Sequence, residues 1–217
     1  MTSSHINLDM TMMYAMHSAL RRELVRIARI TARVDDDPRY VLSTAAGWEM
    51  FKRYLHVHHT SEDDAIWPVM RLALADRPDD LALLKAMEEE HAAIDPLLSS
   101  IDSALADRSG GLVALSGLTD ELATTLTGHL KHEEGETLAL IDVTLTPEQW
   151  QHFSELHRTR IGGESTRYLP WLLDSASPEM TASVLRAFPE PVKRAYADEW
   201  VPNYTALDIW GDGRHPG

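Results

Sequence analysis

The chain has 217 residues, 44% hydrophobic and 25% charged, so it can bury a hydrophobic core and has the composition of a globular protein. Its 34 acidic and 20 basic residues give a formal net charge of −14, which disfavours nucleic acids and anionic membranes as partners. There is no cysteine, which excludes disulfides, thiolate catalysis and cysteine-bound metals. Any metal must therefore be bound by nitrogen and oxygen, which draws attention to the 11 histidines.

Two negative features bear on where the protein works. No apolar run approaches the roughly 20 residues that a membrane-spanning helix needs. The first residues show no basic patch followed by an apolar stretch, which is the pattern of a secretory signal. We therefore expect a cytoplasmic protein without a membrane partner.

Four long amphipathic helices are predicted in the first two thirds of the chain, at residues 9–34, 42–75, 79–106 and 112–143. Short breaks separate them at Asp35–Pro38, Asp76–Pro78 and Ser109–Gly111. Pro96 predicts a kink or a change of direction in the third helix. Four long helices with short connections are typical of an all-α, up-down-up-down four-helix bundle, which we assign to residues 9–143.

Residues 147–217 have a different character and form a predicted C-terminal extension. Capped helix starts are expected near Thr146 and Ser177, and a turn at Gly162-Gly163. Four of the six tryptophans lie here: Trp150, Trp171, Trp200 and Trp210. The pattern predicts short helices whose aromatic side chains pack on the bundle. A lid, or a contact within a homodimer, is the alternative.

Two stretches of the predicted bundle share a histidine–carboxylate pattern. His58 stands four residues before Glu62, and His129 stands four residues before Glu133. Residues four apart lie on one face of a helix, so each pair would present an imidazole and a carboxylate to the same point. On solvated helix faces such pairs would be simple surface contacts, but their recurrence favours a shared site.

The other two bundle helices each add a histidine, His17 in the first and His91 in the third. Burying several carboxylates and imidazoles without partners is costly. Two cations would offset the carboxylate charge and use the imidazole lone pairs. Imidazole-rich sites with two carboxylates suit iron, and carboxylate-bridged dimetal centres recur in bundle cores.

The order and spacing of these residues resemble the hemerythrin-like, or HHE cation-binding, family. The resemblance covers residues 9–143 and rests on His17-x-x-x-Arg21, His58-His59-x-x-Glu62-Asp63 with Trp67-Pro68 after it, Glu90-His91, and His129-x-x-x-Glu133-Glu134. It implies a four-helix bundle around two non-haem iron ions, with an oxo or hydroxo bridge and two bridging carboxylates.

Carried over residue by residue, the resemblance implies six metal ligands: His17, His58, Glu62, His91, His129 and Glu133. Glu62 and Glu133 would bridge the ions, with two of the histidines on each side. The implied cofactor is two iron ions. The implied partner is a small oxidant, namely dioxygen, hydrogen peroxide or nitric oxide.

The sequence departs from the oxygen-carrying members of that family at two places. They have a histidine four residues before the one that matches His91, where this chain has Met87. Their fourth-helix carboxylate matches Glu134, yet we favour Glu133 because four-residue spacing keeps it on the face of its histidine. With one ligand missing, one iron would have an open position or take a further carboxylate such as Glu90. Simple reversible oxygen carriage is therefore disfavoured.

The remaining histidines carry weaker signals. His56, His59 and His132 lie off the ligand faces, which predicts surface or supporting roles. His5, His152, His157 and His215 show no informative spacing and are interpreted as structural or exposed.

We expect a di-iron protein that reacts with or senses small oxidants, with catalase-like or oxidase turnover as the enzymatic form. Two alternatives stay open. One is a sensor or store of iron or oxygen without turnover. The other is a dedicated oxidase in which residues 147–217 shape an apolar pocket for an organic substrate.

Overall fold

The computed structural model describes residues 8–32, 37–107 and 111–211, without the side chain of Leu112, and these residues form an all-α fold. The α-helices are α1 (Thr11–Thr31), α2 (Pro38–Thr44), α3 (Ala46–Ala65), α4 (Trp67–Ala73), α5 (Pro78–Ala106), α6 (Gly111–His132), α7 (Leu138–Thr144), α8 (Pro147–Ile161), α9 (Ser165–Leu173), α10 (Pro178–Leu185), α11 (Glu190–Ala195) and α12 (Val201–Ala206). Two π-helical turns (Glu133–Thr137 and Tyr196–Trp200) and a 3₁₀ turn (Gly162–Glu164) join some of them.

The bundle consists of α1, α3, α5 and α6, which pack around two apolar clusters. The large cluster takes Leu20, Leu55, Ile94 and Leu126 from these four helices. The small cluster takes Met13, Ile66, Met87 and Leu138 from the same helices or their continuations. Along the chain, α1 and α5 reach the small cluster first, whereas α3 and α6 reach the large cluster first. Consecutive long helices therefore run in alternate directions, as in an up-down-up-down bundle.

The predicted second helix, residues 42–75, is wrong in its bounds. A separate short helix, α2, precedes it, and α3 begins at Ala46. At Ile66 the backbone leaves the regular α-helix, and α4 then starts at Trp67 with Pro68 in its first turn. Proline fits the first turn of a helix because the amide hydrogen that it lacks has no partner there in any case. The sequence pattern missed both breaks because the apolar spacing continues across them.

The other bundle helices agree more closely with the pattern. Pro96 lies inside α5, which continues without a break through it. The predicted end of the first helix and the Ser109-Gly110 turn lie outside the described residues. The fourth helix is continued through the π-helical turn at Glu133–Thr137 into α7, a local widening that the sequence did not predict.

The short C-terminal helices begin where their caps predict. Thr146 accepts a hydrogen bond from the backbone of Gln149 while the Gln149 side chain accepts one from the backbone of Thr146, a capping box that starts α8. Ser177 caps α10 in the same way through the backbone of Met180. Gly162, with a φ of 59°, ends α8 at the predicted turn. A left-handed φ is readily adopted by glycine, which has no Cβ.

A buried polar network attaches these helices to α1. Arg22 donates hydrogen bonds to the carbonyl oxygens of Trp171 and Asp174, at 2.6 and 2.7 Å. The indole of Trp210 donates to the fully buried carboxylate of Glu23 at 2.6 Å. The same indole packs on Gly47, where a Cβ would come within 2.4 Å of the ring. The C-terminal helices are therefore fixed to the bundle by specific contacts, and the aromatic packing that the composition predicted is present.

Over the described residues, none of the helices has the combination of length and apolar composition needed to cross a membrane.

Candidate metal centre

A buried polar layer lies between the two apolar clusters. It contains five histidines and two glutamates in two groups, within each of which the potential ligand atoms lie no more than 4.8 Å apart. The first group is His17, His58, Glu62 and Glu133, and the second is His59, His91 and His129. Each of the seven residues is at most 5% exposed. The bundle therefore collects these side chains in its interior.

The separations between imidazole nitrogens fit shared ions. The Nε2 atoms of His17 and His58 are 3.1 Å apart, and those of His91 and His129 are 3.2 Å apart. Two nitrogens about 2.1 Å from one ion, at a right angle to each other, are about 3 Å apart. Both pairs therefore have the spacing of neighbouring ligands on one metal ion.

The two carboxylates lie between the groups. Oε1 of Glu62 is 3.3 Å from Nε2 of His58, whereas its Oε2 is 3.5 Å from Nε2 of His91. Oε2 of Glu133 is 3.2 Å from Nε2 of His17 and 3.8 Å from Nε2 of His129. Each carboxylate thus reaches one histidine of each group, which is the position of a bridging ligand.

Buried atoms without hydrogen-bond partners mark the same place. Among the described residues, both carboxylate oxygens of Glu62, both of Glu133, and Nε2 of His59 have no such partner. An unsatisfied buried polar atom costs about 1–3 kcal/mol, and more when it is charged. A cluster of such atoms that all point inward is explained if they coordinate cations, so the donor set fits a metal centre.

Carboxylates behind the imidazoles fix their orientation. Nδ1 of His17 contacts Glu134 at 2.9 Å, Nδ1 of His91 contacts Asp63 at 2.8 Å, and Nδ1 of His129 contacts Glu90 at 3.0 Å. A proton held on Nδ1 leaves the lone pair on Nε2, which faces the interior. Metal-binding histidines generally have such partners, which set the tautomer and increase the basicity of the ligand.

The π-helical turn distinguishes the two adjacent glutamates of the fourth helix. Glu133 points into the cluster and is fully buried. Glu134 points toward α1, where Arg21 donates two hydrogen bonds to it at 2.8 and 2.9 Å. Although burial acts to raise the pKa of Glu134, the hydrogen bonds from His17 and Arg21 hold this pKa at about 2. Glu134 is therefore an ionised support for His17, and Glu133 is the one in the cluster.

Without cations, the charges of the clustered side chains would be poorly balanced. Burial, followed by repulsion from Glu133, raises the pKa of Glu62 well above its ordinary value. Burial acts to raise the pKa of Glu133 too, but His17 outweighs it and the pKa falls. Burial also lowers the pKa values of His58 and His59 well below the ordinary value, so these imidazoles are neutral and their lone pairs are free to bind a cation.

All six residues predicted as ligands lie in the cluster: His17, His58, Glu62, His91, His129 and Glu133. His59, predicted to lie off the ligand face, also belongs to the cluster. The His59 ring stacks on that of His91, with centroids 3.9 Å apart. Its position three residues before Glu62 was the available signal, because residues three apart on a helix are also neighbours.

Other expectations near the cluster need correction or qualification. Glu90 does not face the cluster, because its two oxygens contact the Nδ1 atoms of His129 and His132. Met87 is fully buried in the small apolar cluster. His56 is exposed and His132 contacts Glu90, as expected of surface and supporting positions. His5 and His215 lie outside the described residues.

Two openings lead to the cluster from different sides. A cavity of ≈ 610 Å³, here named the apolar cavity, lies between α1 and the C-terminal helices and reaches His58. A second pocket of ≈ 320 Å³, here named the acidic pocket, reaches His59 and His91 and is lined also by Asp63, Glu88 and Asp95. His157, predicted to be structural or exposed, is half-buried on the apolar cavity beside His58.

A helical bundle that buries five imidazoles and two carboxylates in one layer is a metal-binding protein of the bundle class. Residues 9–141 match the model of the hemerythrin HHE cation-binding domain. The chain belongs to the hemerythrin family.

More distant comparisons add little beyond the family. Zinc finger protein BRUTUS-like of Arabidopsis thaliana is 20% identical to this chain over 215 residues. That similarity covers 92% of the chain but 17% of the plant protein, so the chain spans less than a fifth of its relative's length. No solved structure shows a significant match.

Proposed function

We propose that the protein holds two iron ions in the polar layer of the bundle and uses them to react with or sense a small oxidant. The observation that carries this proposal is the placement of Glu62, whose two oxygens reach His58 in one group and His91 in the other. Iron suits a set of imidazoles and carboxylates without sulfur. Two ions also relieve the repulsion between the buried Glu62 and Glu133 carboxylates.

The proposed ligand set is unequal. His17 and His58 would hold one ion, His59, His91 and His129 would hold the other, and Glu62 and Glu133 would be shared. His59 supplies a third imidazole on the side where the oxygen carriers use the residue that matches Met87. The ion with two imidazoles then has fewer protein donors and more room for an exogenous ligand. Iron bound there supplies the electrons exchanged with dioxygen, peroxide or nitric oxide.

The chain's own residues have defined parts in this function. Glu134, Asp63 and Glu90 hold protons on the outward nitrogens of three histidines, so that the inward nitrogens stay available. The two apolar clusters exclude water from above and below the layer. Where water is excluded in this way, charge interactions between ions, carboxylates and ligand are stronger than in solvent.

Iron content and the optical spectrum of the purified protein test the proposal. We expect close to two irons per chain, with near-ultraviolet absorption from the bridged pair, and consumption of added hydrogen peroxide. Glu62→Ala should lose most of the iron, whereas the exposed Glu121→Ala should keep it. Iron content unchanged in Glu62→Ala would reject the site. Two irons without peroxide consumption would reject turnover and leave sensing or storage.

A further inference from the structure

The apolar cavity is built mainly from two parts of the chain. The start of α1 supplies three methionines, and α8, α9 and the segment around α11 supply most of the remaining wall, including Phe153, Leu169, Phe188 and Trp200. Its volume of ≈ 610 Å³ is in the range of about 300–1,000 Å³ typical of small-molecule sites. Because apolar side chains dominate its wall, its filling by an apolar molecule would be favoured.

The inner end of the cavity is next to the proposed iron centre. His58 lines the cavity and also belongs to the first ligand group. The ring of His157 lies between those of His58 and Tyr168, with its centroid 6.3 Å from that of His58 and 5.6 Å from that of Tyr168. The cavity thus reaches the ligand group that has only two imidazoles, where the proposed ligand set leaves the most room for a further ligand.

The outer rim of the cavity is polar. It includes Gln151, Glu155 and Arg158, all exposed on α8. Gln151 donates a hydrogen bond to Glu155 at 2.8 Å. The guanidinium of Arg158, by contrast, makes no hydrogen bond or ion pair with any residue that the structure describes. An unpaired guanidinium at the mouth of an apolar cavity can bind the polar group of an otherwise apolar guest.

We propose that the apolar cavity binds an amphipathic organic molecule, whose apolar body lies along the methionines of α1 and whose polar group stays at the rim beside Arg158. The inner end of the molecule then contacts the imidazole of His58. This rests on the proposed function insofar as it makes the guest a partner of the iron centre. The role of the C-terminal helices is, on this proposal, to complete a binding site that the bundle lacks.

Calorimetric titration of the iron-loaded protein with decanoate and with 1-decanol, both below their aggregation concentrations, tests the proposal. We expect saturable binding of one molecule per chain. Ser154→Trp and Ala187→Trp each place a large ring in the cavity from a different wall and should weaken binding at least tenfold. The matched controls, His152→Trp on α8 and Ala182→Trp on α10, change exposed residues outside the cavity and should bind normally.

Two further readouts separate the parts of the proposal. Arg158→Gln should weaken decanoate binding several-fold and leave 1-decanol binding unchanged. Bound decanoate should alter the iron absorption spectrum, because its inner end contacts His58. Absence of saturable binding, equal binding in the tryptophan variants, or an unchanged spectrum would overturn the inference. Iron content, measured on the same samples, tests the proposed function independently, so that failure of one is distinguishable from failure of the other.

Discussion

His58 and His59 are neighbours in sequence, yet they face two unlike environments. His58 borders the apolar cavity, together with methionines and aromatic rings. His59 borders the acidic pocket, together with Asp63, Glu88 and Asp95. The two approaches to the same centre therefore start from adjacent faces of α3, because successive residues of a helix point about 100° apart.

The difference between the apolar cavity and the acidic pocket indicates that different kinds of molecule enter through them. A hydrated cation is attracted by the carboxylates of the acidic pocket, whereas an apolar cavity would require it to lose its water. An organic molecule gains from the apolar cavity and little from the acidic pocket. On the proposed function, iron reaches the centre past His59, and organic guests approach it past His58.

The largest effect on iron content should come from a residue that both ligand groups share. Glu133→Ala removes a carboxylate shared by the two groups, so we expect iron to fall from two ions to well below one per chain. Glu134→Gln, at the neighbouring residue, weakens the support of His17 and the contact with Arg21 but leaves the ligand groups intact, so it should retain iron with about 10–100-fold weaker affinity. Metal analysis with a chelator competition measures both. If Glu134→Gln lost more iron than Glu133→Ala, the assignment of the two glutamates would be reversed.

His59→Ala should remove one of the two iron ions. The second group then keeps only His91 and His129 as imidazoles, and we expect about one iron per chain instead of two. His56→Ala is the matched control, because His56 is exposed one turn earlier on the same helix. Iron content of the two variants decides the question. Two ions retained by His59→Ala would show that His59 only packs against His91.

His58 and His59 also show which parts of the site could be predicted from the sequence. The four-residue spacing predicted His58 with Glu62 and His129 with Glu133, since such pairs depend only on the regular geometry of one helix. The family resemblance added His17 and His91 as ligands. The choice of Glu133 over Glu134 had the same basis. His59 was missed because the four-residue pattern of His58 and Glu62 leaves it out, although residues three apart on a helix, such as His59 and Glu62, are also neighbours.

The apolar cavity was harder to foresee for a related reason. The tryptophans and prolines of residues 147–217 predicted short helices packed on the bundle, and the caps at Thr146 and Ser177 predicted where two of them start. The shape of the space that those helices leave over α1 depends on long-range contacts such as Arg22 with Trp171 and Asp174. No local pattern in the sequence encodes that space.

A smaller effect should follow when the attachment of the C-terminal helices is weakened. Asp174 pairs with Arg26 at 2.7 Å and accepts a hydrogen bond from Tyr204 at 3.3 Å. Asp174→Asn should lower the free energy of unfolding by about 1–3 kcal/mol at pH 7. The iron content should stay at two, since the ligands lie in the bundle. Urea unfolding and metal analysis measure the two quantities.

The loss of unfolding free energy in Asp174→Asn should depend on pH in one direction. Burial acts to raise the pKa of Asp174, but Arg26 and Arg22 outweigh it and lower this pKa in the folded protein. A depressed folded pKa contributes stability that is present above the unfolded value of 3.8 and is lost as pH falls through the folded value. The difference between the native chain and Asp174→Asn should therefore be constant above about pH 5 and shrink below pH 4. A difference that grew on acidification would contradict the ion pair.

The smallest effect should be kinetic and confined to the acidic pocket. Asp95 is exposed on α5 and lines that pocket without itself belonging to either ligand group. Asp95→Asn removes one attractive charge, so ferrous iron should load about two- to threefold more slowly at low salt, while the final iron content stays at two. The matched control is Asp79→Asn, because Asp79 is exposed at the start of the same helix and outside the pocket. Stopped-flow absorbance after mixing metal-free protein with ferrous iron measures the rate.

Raising the ionic strength should remove the difference in loading rate, since exposed charges are screened within about 10 Å at 0.1 M salt. Equal slowing by both variants would mean that net charge alone governs loading, and the proposed route past His59 would then have no support.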